Sequence, residues 1–224
     1  MASIDRYIVE RNATQVRTAF AGIVKLAKEK GITRVTLIVP KKGGWEHTIV
    51  GEFLGAAVAK ALTKGQSVAL VEGITMVLES PQTFRPTAAQ GLLVGVHIST
   101  KDMAKLDDAW GAQAILFLPW SDIESQEWKA TWHPTTFGQK GPEAPANTLS
   151  EPVQDALVRL TESINLGTGL NHPSDKKHAE RTFDKLRSEG HSFDPIEVRR
   201  WAQRNNWSSN AAADLEAVAR RRAN

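Results

Sequence analysis

The sequence predicts an α/β protein: a Rossmann-like three-layer sandwich with a mainly parallel sheet, followed by a small C-terminal helical module. Three observations carry this expectation. Runs that are apolar almost throughout, such as "RVTLIV" (Arg34 to Val39) and "AQAILFLPW" (Ala112 to Trp120), have the composition of strands buried on both faces. Stretches with apolar residues three and four apart separate those runs, as helices covering a parallel sheet require. Beyond residue 133 the strand-like runs stop, and short helical patterns bounded by Pro, Gly, Ser and Asp take over.

The elements follow in order. Asn12 opens a helical pattern through Val16, Phe20, Ile23 and Ala27 that stops at Gly31. After "RVTLIV", one helix is expected from Glu46 to Leu62, with Gly51 and Gly55 packed close to the sheet. "QSVALVEG" (Gln66 to Gly73) reads as a second buried strand, and "ITMVLES" (Ile74 to Ser80) as either an extra strand or a lid-like excursion. Gly91 to Ser99 and Ala112 to Trp120 read as the third and fourth strands, each followed by a helix, Lys101 to Trp110 and Asp122 to Trp132. The domain plan is therefore residues 1–133 for the α/β domain, a Pro/Gly-rich linker or surface loop at 134–149, a connecting helix at 150–170, and a three-helix module at 171–224. In that module Ser174, Asp194 and Ser208 or Ser209 are candidate caps, and Trp201, Trp207, Phe183 and Phe193 the candidate core.

Composition excludes several chemistries. There is no cysteine, so disulfides, thiolate nucleophiles and Cys-ligated zinc are out, and a cytoplasmic location is expected. No apolar run approaches the ~20 residues of a membrane helix, and the first residues lack the layout of a signal peptide. H-E-x-x-H, G-x-S-x-G, G-x-G-x-x-G and the acidic calcium loop are all absent, so no metal site and no named catalytic residue is expected.

In open α/β sheets ligands sit beyond the carboxyl ends of the strands. Four such ends are expected to converge: Lys41, Lys42, Gly43, Gly44, Trp45 and His47 after the first strand, Glu72 after the second, Ser99 and Thr100 after the third, Trp120 and Asp122 after the fourth. Glycines let backbone amides approach an anion, and a lysine adds a point charge. The expected ligand is a nucleotide or other small anionic molecule. Lys41 or Lys42 with Gly43 and Gly44 would hold its phosphate, Trp45 would stack, and Asp122 or Glu72 would take sugar hydroxyls. His97, inside a strand, reads as a core histidine. An alternative is an enzyme on a nucleotide or phosphorylated substrate, with Glu72, His47 or Asp122 as acid–base groups.

Charge offers the other alternative. From Asn171 onward 11 Lys/Arg face 8 Asp/Glu, which accounts for the whole net charge of +3. Arg199, Arg200, Arg204 and Arg221 could contact nucleic-acid phosphates from this tail. "VRRWAQRNN" within it resembles the helix in the DNA-binding domain of actinobacterial silencers of AT-rich DNA, although the Arg-Gly-Arg hook of those domains is absent. No membrane partner is expected, and self-association is left open.

Overall fold

The computed structural model describes residues 4–137 and 148–223. The chain divides into two compact units, Met1–Glu143 and Ala144–Asn224. Most of the expected linker, residues 138–147, lies outside the described residues.

The first unit is built on a seven-stranded mixed sheet. Its elements run β1 (Asp5–Ile8), α1 (Gln15–Glu29), β2 (Arg34–Ile38), α2 (Ile49–Leu54), α3 (Ala56–Thr63), β3 (Val68–Val71), β4 (Ile74–Glu79), β5 (Gly91–Val96), α4 (Thr100–Asp107), β6 (Ala112–Leu118), α5 (Asp122–Trp132) and β7 (Thr135–Thr136). Across the sheet the order is β3-β4-β2-β5-β6-β1-β7. Every pairing is parallel except β3 with β4.

Strand side chains alternate between two faces, and each face has its own core. Val35, Leu37, Leu92, Val94 and Leu116 pack with Phe20 and Ile23 of α1, Val50 of α2 and Leu62 of α3. On the opposite face Ile38, Leu93, Ile115 and Phe117 meet Met103 and Leu106 of α4 and Trp128 of α5. That two-sided burial is why β2, β5 and β6 are continuous apolar runs in the sequence.

Several expectations are corrected. The region from Glu46 to Leu62 is two short helices, α2 and α3, after a 3-10 turn at Trp45–His47. Gly55, at φ 87°, separates them in a backbone conformation that side-chain-bearing residues rarely adopt. Gly51 packs on the backbone of the preceding turn, where a Cβ would lie 2.4 Å from the Trp45 carbonyl oxygen. β3 is a partly exposed antiparallel edge strand, joined to β4 by the turn Glu72–Gly73. Of the two readings of "ITMVLES", the extra strand is the one found: it supplies β4, the parallel neighbour of β2. β1 and β7 have no counterpart in the expected elements.

The second unit contains α6 (Glu151–Ser163), α7 (Pro173–Ser188), α8 (Pro195–Arg204) and α9 (Ser209–Arg220), with a 3-10 turn at Gly169–Asn171. The helix expected to act as a connector, α6, is part of the core. Its Val153, Leu157 and Leu160 cluster with Phe183, Trp201, Trp207 and Leu215, and Phe193 packs on the edge of the cluster. The Trp207 indole also donates to Thr161 Oγ1 at 2.9 Å, tying the start of α9 to α6. Asp194 and Ser208 cap α8 and α9. α7 is capped by His172, whose Nδ1 accepts from the Ser174 amide, because Pro173 already occupies the first turn.

Candidate functional site

Topology fixes where the sheet unit can hold a ligand. From β2 the chain passes through α2 and α3 to the β3–β4 side, and from β5 it passes through α4 on the other face to reach β6. Strand order therefore reverses between β2 and β5. Loops leaving such a pair diverge, and the crevice between them is where ligands sit in open α/β sheets.

A cleft of about 850 Å³ opens at this edge, lined by Arg11–Arg17, by Ile49 and Phe53 of α2, by His97, and by Trp120 and Asp122. The segment leading into α1 is held from several sides. Asn12 Oδ1 accepts from the Thr14 amide and hydroxyl, each at 2.8 Å, which closes the turn after β1. The buried Gln15 amide donates to the carbonyls of Val9 (3.4 Å) and Pro119 (3.0 Å), pinning the ends of β1 and β6 together. Arg11, Arg17 and Asp122 reach the cleft exposed, and none of them has an ion-pair partner among the described residues.

His97 follows β5 directly and stands in the left-handed region at φ 52°. A non-glycine residue there is uncommon, and such conformations gather at functional sites. Its amide donates to the Leu118 carbonyl at 2.8 Å, and its ring meets Trp120 edge-to-face with centroids 5.0 Å apart. Neither ring nitrogen has a hydrogen-bond partner among the described residues. Burial lowers the imidazole pKa from its ordinary 6.5, with Glu124 pulling partly the other way.

This has a consequence for stability. As pH falls, the unfolded chain takes up the proton before folded His97 does, so the stability His97 contributes is complete above about pH 6.5 and declines as pH drops below it. His97→Asn, which tolerates the left-handed conformation, is expected to flatten this decline between about pH 7 and pH 5 in urea unfolding of the sheet unit. Parallel pH curves for the two proteins would refute it.

Of the residues expected from the sequence, Trp120 and Asp122 line the cleft and the others do not. Trp45 cannot stack on a ligand: it is 2% exposed, and its indole donates to Thr63 Oγ1 at 3.0 Å. Lys42 pairs with Glu79 at 3.0 Å. Gly44, at φ 78°, leads into the 3-10 turn, while Lys41, Gly43 and His47 lie exposed around it, outside the cleft lining. Glu72 belongs to the turn that precedes β4, at the opposite edge of the sheet from the carboxyl ends. Ser99 caps α4, and Thr100 donates to the Glu124 carbonyl at 2.7 Å, which ties α4 to α5. Arg11, Asn12, Arg17, Ile49, Phe53 and His97 were missed. Three of them, Arg11, Asn12 and Arg17, depend on β1, whose four residues are too few to show an alternation.

In the second unit the arginine face is turned onto carboxylates. Arg200 pairs with Glu197 at 2.6 Å, and Arg199 and Arg220 pair with Glu216 at 3.4 and 2.5 Å. Burial lowers the Arg204 pKa, and Arg221 Nε donates to the Ala217 carbonyl at 3.1 Å. These pairings neutralise much of the charge that phosphate contact would require.

Residues 150–224 match the model of a family described as a domain of unknown function, DUF1889. The match spans the four helices of the second unit and none of the sheet. No curated protein and no solved structure matches the chain. Among the described residues no helix is long and apolar enough to cross a membrane, and no group of three or more His, Asp or Glu could hold a metal ion.

Proposed function

We propose that the sheet unit is a Rossmann-like domain that binds a small phosphorylated or otherwise anionic molecule in the cleft at its carboxyl edge. The observation that carries this is a pair of arginines, Arg11 and Arg17, that have no ion-pair partner among the described residues and stand on the wall of the cleft beside the strand-order reversal. Arginine presents a planar fork of donors suited to phosphate and carboxylate. The cleft's volume of about 850 Å³ falls within the range usual for small-molecule sites. The absence of cysteine fits a reducing compartment, and we place this activity in the cytoplasm.

A thermal-shift screen against phosphate-bearing metabolites tests the reading. A ligand at ~100 times its dissociation constant stabilises the fold by about 2.7 kcal/mol. That shift is expected for the wild type and should vanish in the double variant Arg11→Glu, Arg17→Glu. Both side chains are exposed, so the unliganded variant should melt where the wild type does. A shift that survives charge reversal would move the site elsewhere.

A further inference from the structure

The cleft has a second character that an anion alone does not explain. Among the described residues of the sheet unit, five large apolar side chains are exposed: Ile49, Phe53, Trp110, Trp120 and Ile123. Three of them, Ile49, Phe53 and Trp120, line this one cleft. Two are aromatic and braced from behind. Phe53, 47% exposed, rests against Phe20 with centroids 5.2 Å apart, and Trp120, 56% exposed, stands against His97. Braced aromatic surface beside cations fits a molecule that carries both a flat ring and a negative charge.

The polar groups narrow the class. The Asp122 carboxylate has no hydrogen-bond partner among the described residues and can accept from hydroxyl groups as carboxylates do at ribose sites. The two unpaired ring nitrogens of His97 can meet donors and acceptors on the edge of a heterocycle. Arg11 and Arg17 against Asp122 leave one net positive charge, which suits a single phosphate better than a triphosphate.

Building on the anion-binding reading above, we infer that the cleft takes a nucleoside monophosphate. Its base stacks on Trp120, its ribose meets Asp122, and its phosphate lies on Arg11 and Arg17.

The test is calorimetric titration of the full chain with the four common nucleoside 5′-monophosphates, with the corresponding nucleosides, and with ribose 5-phosphate. Trp120→Ala and Trp120→Phe are titrated alongside, with circular dichroism to confirm that each folds. A nucleoside monophosphate is expected to bind at least about tenfold more tightly than ribose 5-phosphate. Trp120→Ala should remove about ten- to a hundredfold of the nucleotide affinity, leave ribose 5-phosphate unchanged, and be largely rescued by Trp120→Phe. If ribose 5-phosphate binds as tightly as the nucleotides, or Trp120→Ala changes nothing, stacking is refuted while the anion site stands. If no phosphate compound binds, both readings fall. Binding of a single-stranded oligonucleotide in place of the monomers would overturn this inference in favour of a strand-tracking surface.

Discussion

Asp107→Ala is expected to destabilise the sheet unit by about 3–5 kcal/mol, because it breaks a buried ion pair from one side only. Asp107 lies at the end of α4, and its side chain is 4% exposed. Its carboxylate accepts from Arg6 Nε at 2.9 Å and from the Trp128 indole at 3.0 Å. Arg6 in turn lies over the Trp132 ring, 3.4 Å from its centroid. Burial pushes the Asp107 carboxyl up, against the opposing pull of Arg6 and the two indoles. Alanine would leave the Arg6 guanidinium, 11% exposed, without its counter-charge. The double change Arg6→Met, Asp107→Leu should recover much of the loss, since the cost lies in the stranded charge more than in the missing pair. Urea unfolding followed through the sheet unit measures both. A loss under about 1 kcal/mol for Asp107→Ala would mean that water reaches the pair and screens it.

Phe183→Ala is expected to cost about 3–5 kcal/mol and to act on the second unit alone. Phe183 is fully buried in the core shared by α6, α7, α8 and α9, with Phe193 beside it at a centroid distance of 5.0 Å. A unit of this size has little stability to spare. The helices should therefore lose their native amide dispersion while resonances of the β2, β5 and β6 amides hold their positions. Two-dimensional NMR of wild type and variant checks this. Simultaneous loss of both sets would show that the two cores unfold as one.

What could be read in the sequence follows from how many residues carried each signal. β2, β5 and β6 are buried on both faces, so their apolar runs are unbroken and stand out. β1 has four residues and β7 two, too short for any period to show. β3 and β4 misled for another reason. Both are rich in β-formers, but polarity in a sheet depends on pairing, and the Glu72–Gly73 turn between them was the one local sign of a hairpin. Reading "QSVALVEG" as a parallel strand sent Glu72 to the wrong edge of the sheet.

Of the residues that line the cleft, only Trp120 and Asp122, which follow the most obvious strand, were legible as candidates. Trp45 illustrates the limit. A tryptophan after two glycines fits a ligand wall and a core anchor equally well, and the 3-10 turn that folds it onto Thr63 is decided by contacts eighteen residues away. His97 was placed in the core because the run around it is apolar; its positive φ, invisible in composition, turns it toward the cleft.

Asp5 sits opposite Ala114, and Ile8 opposite Phe117. β1 thus meets its partner β6 only after more than a hundred further residues have been synthesised. Pairings so distant in sequence slow folding, since a long stretch of chain must be closed before they stabilise anything. Until then β1 is a strand without a sheet, and Arg11 and Gln15 have no Trp120 or Pro119 to face. A nascent chain stopped before residue 112 can carry β2, β4 and β5 and still lack the cleft altogether. On the reading proposed above, binding in the cleft would thus report that β1 has paired with β6, which no single helix or hairpin of the unit could signal.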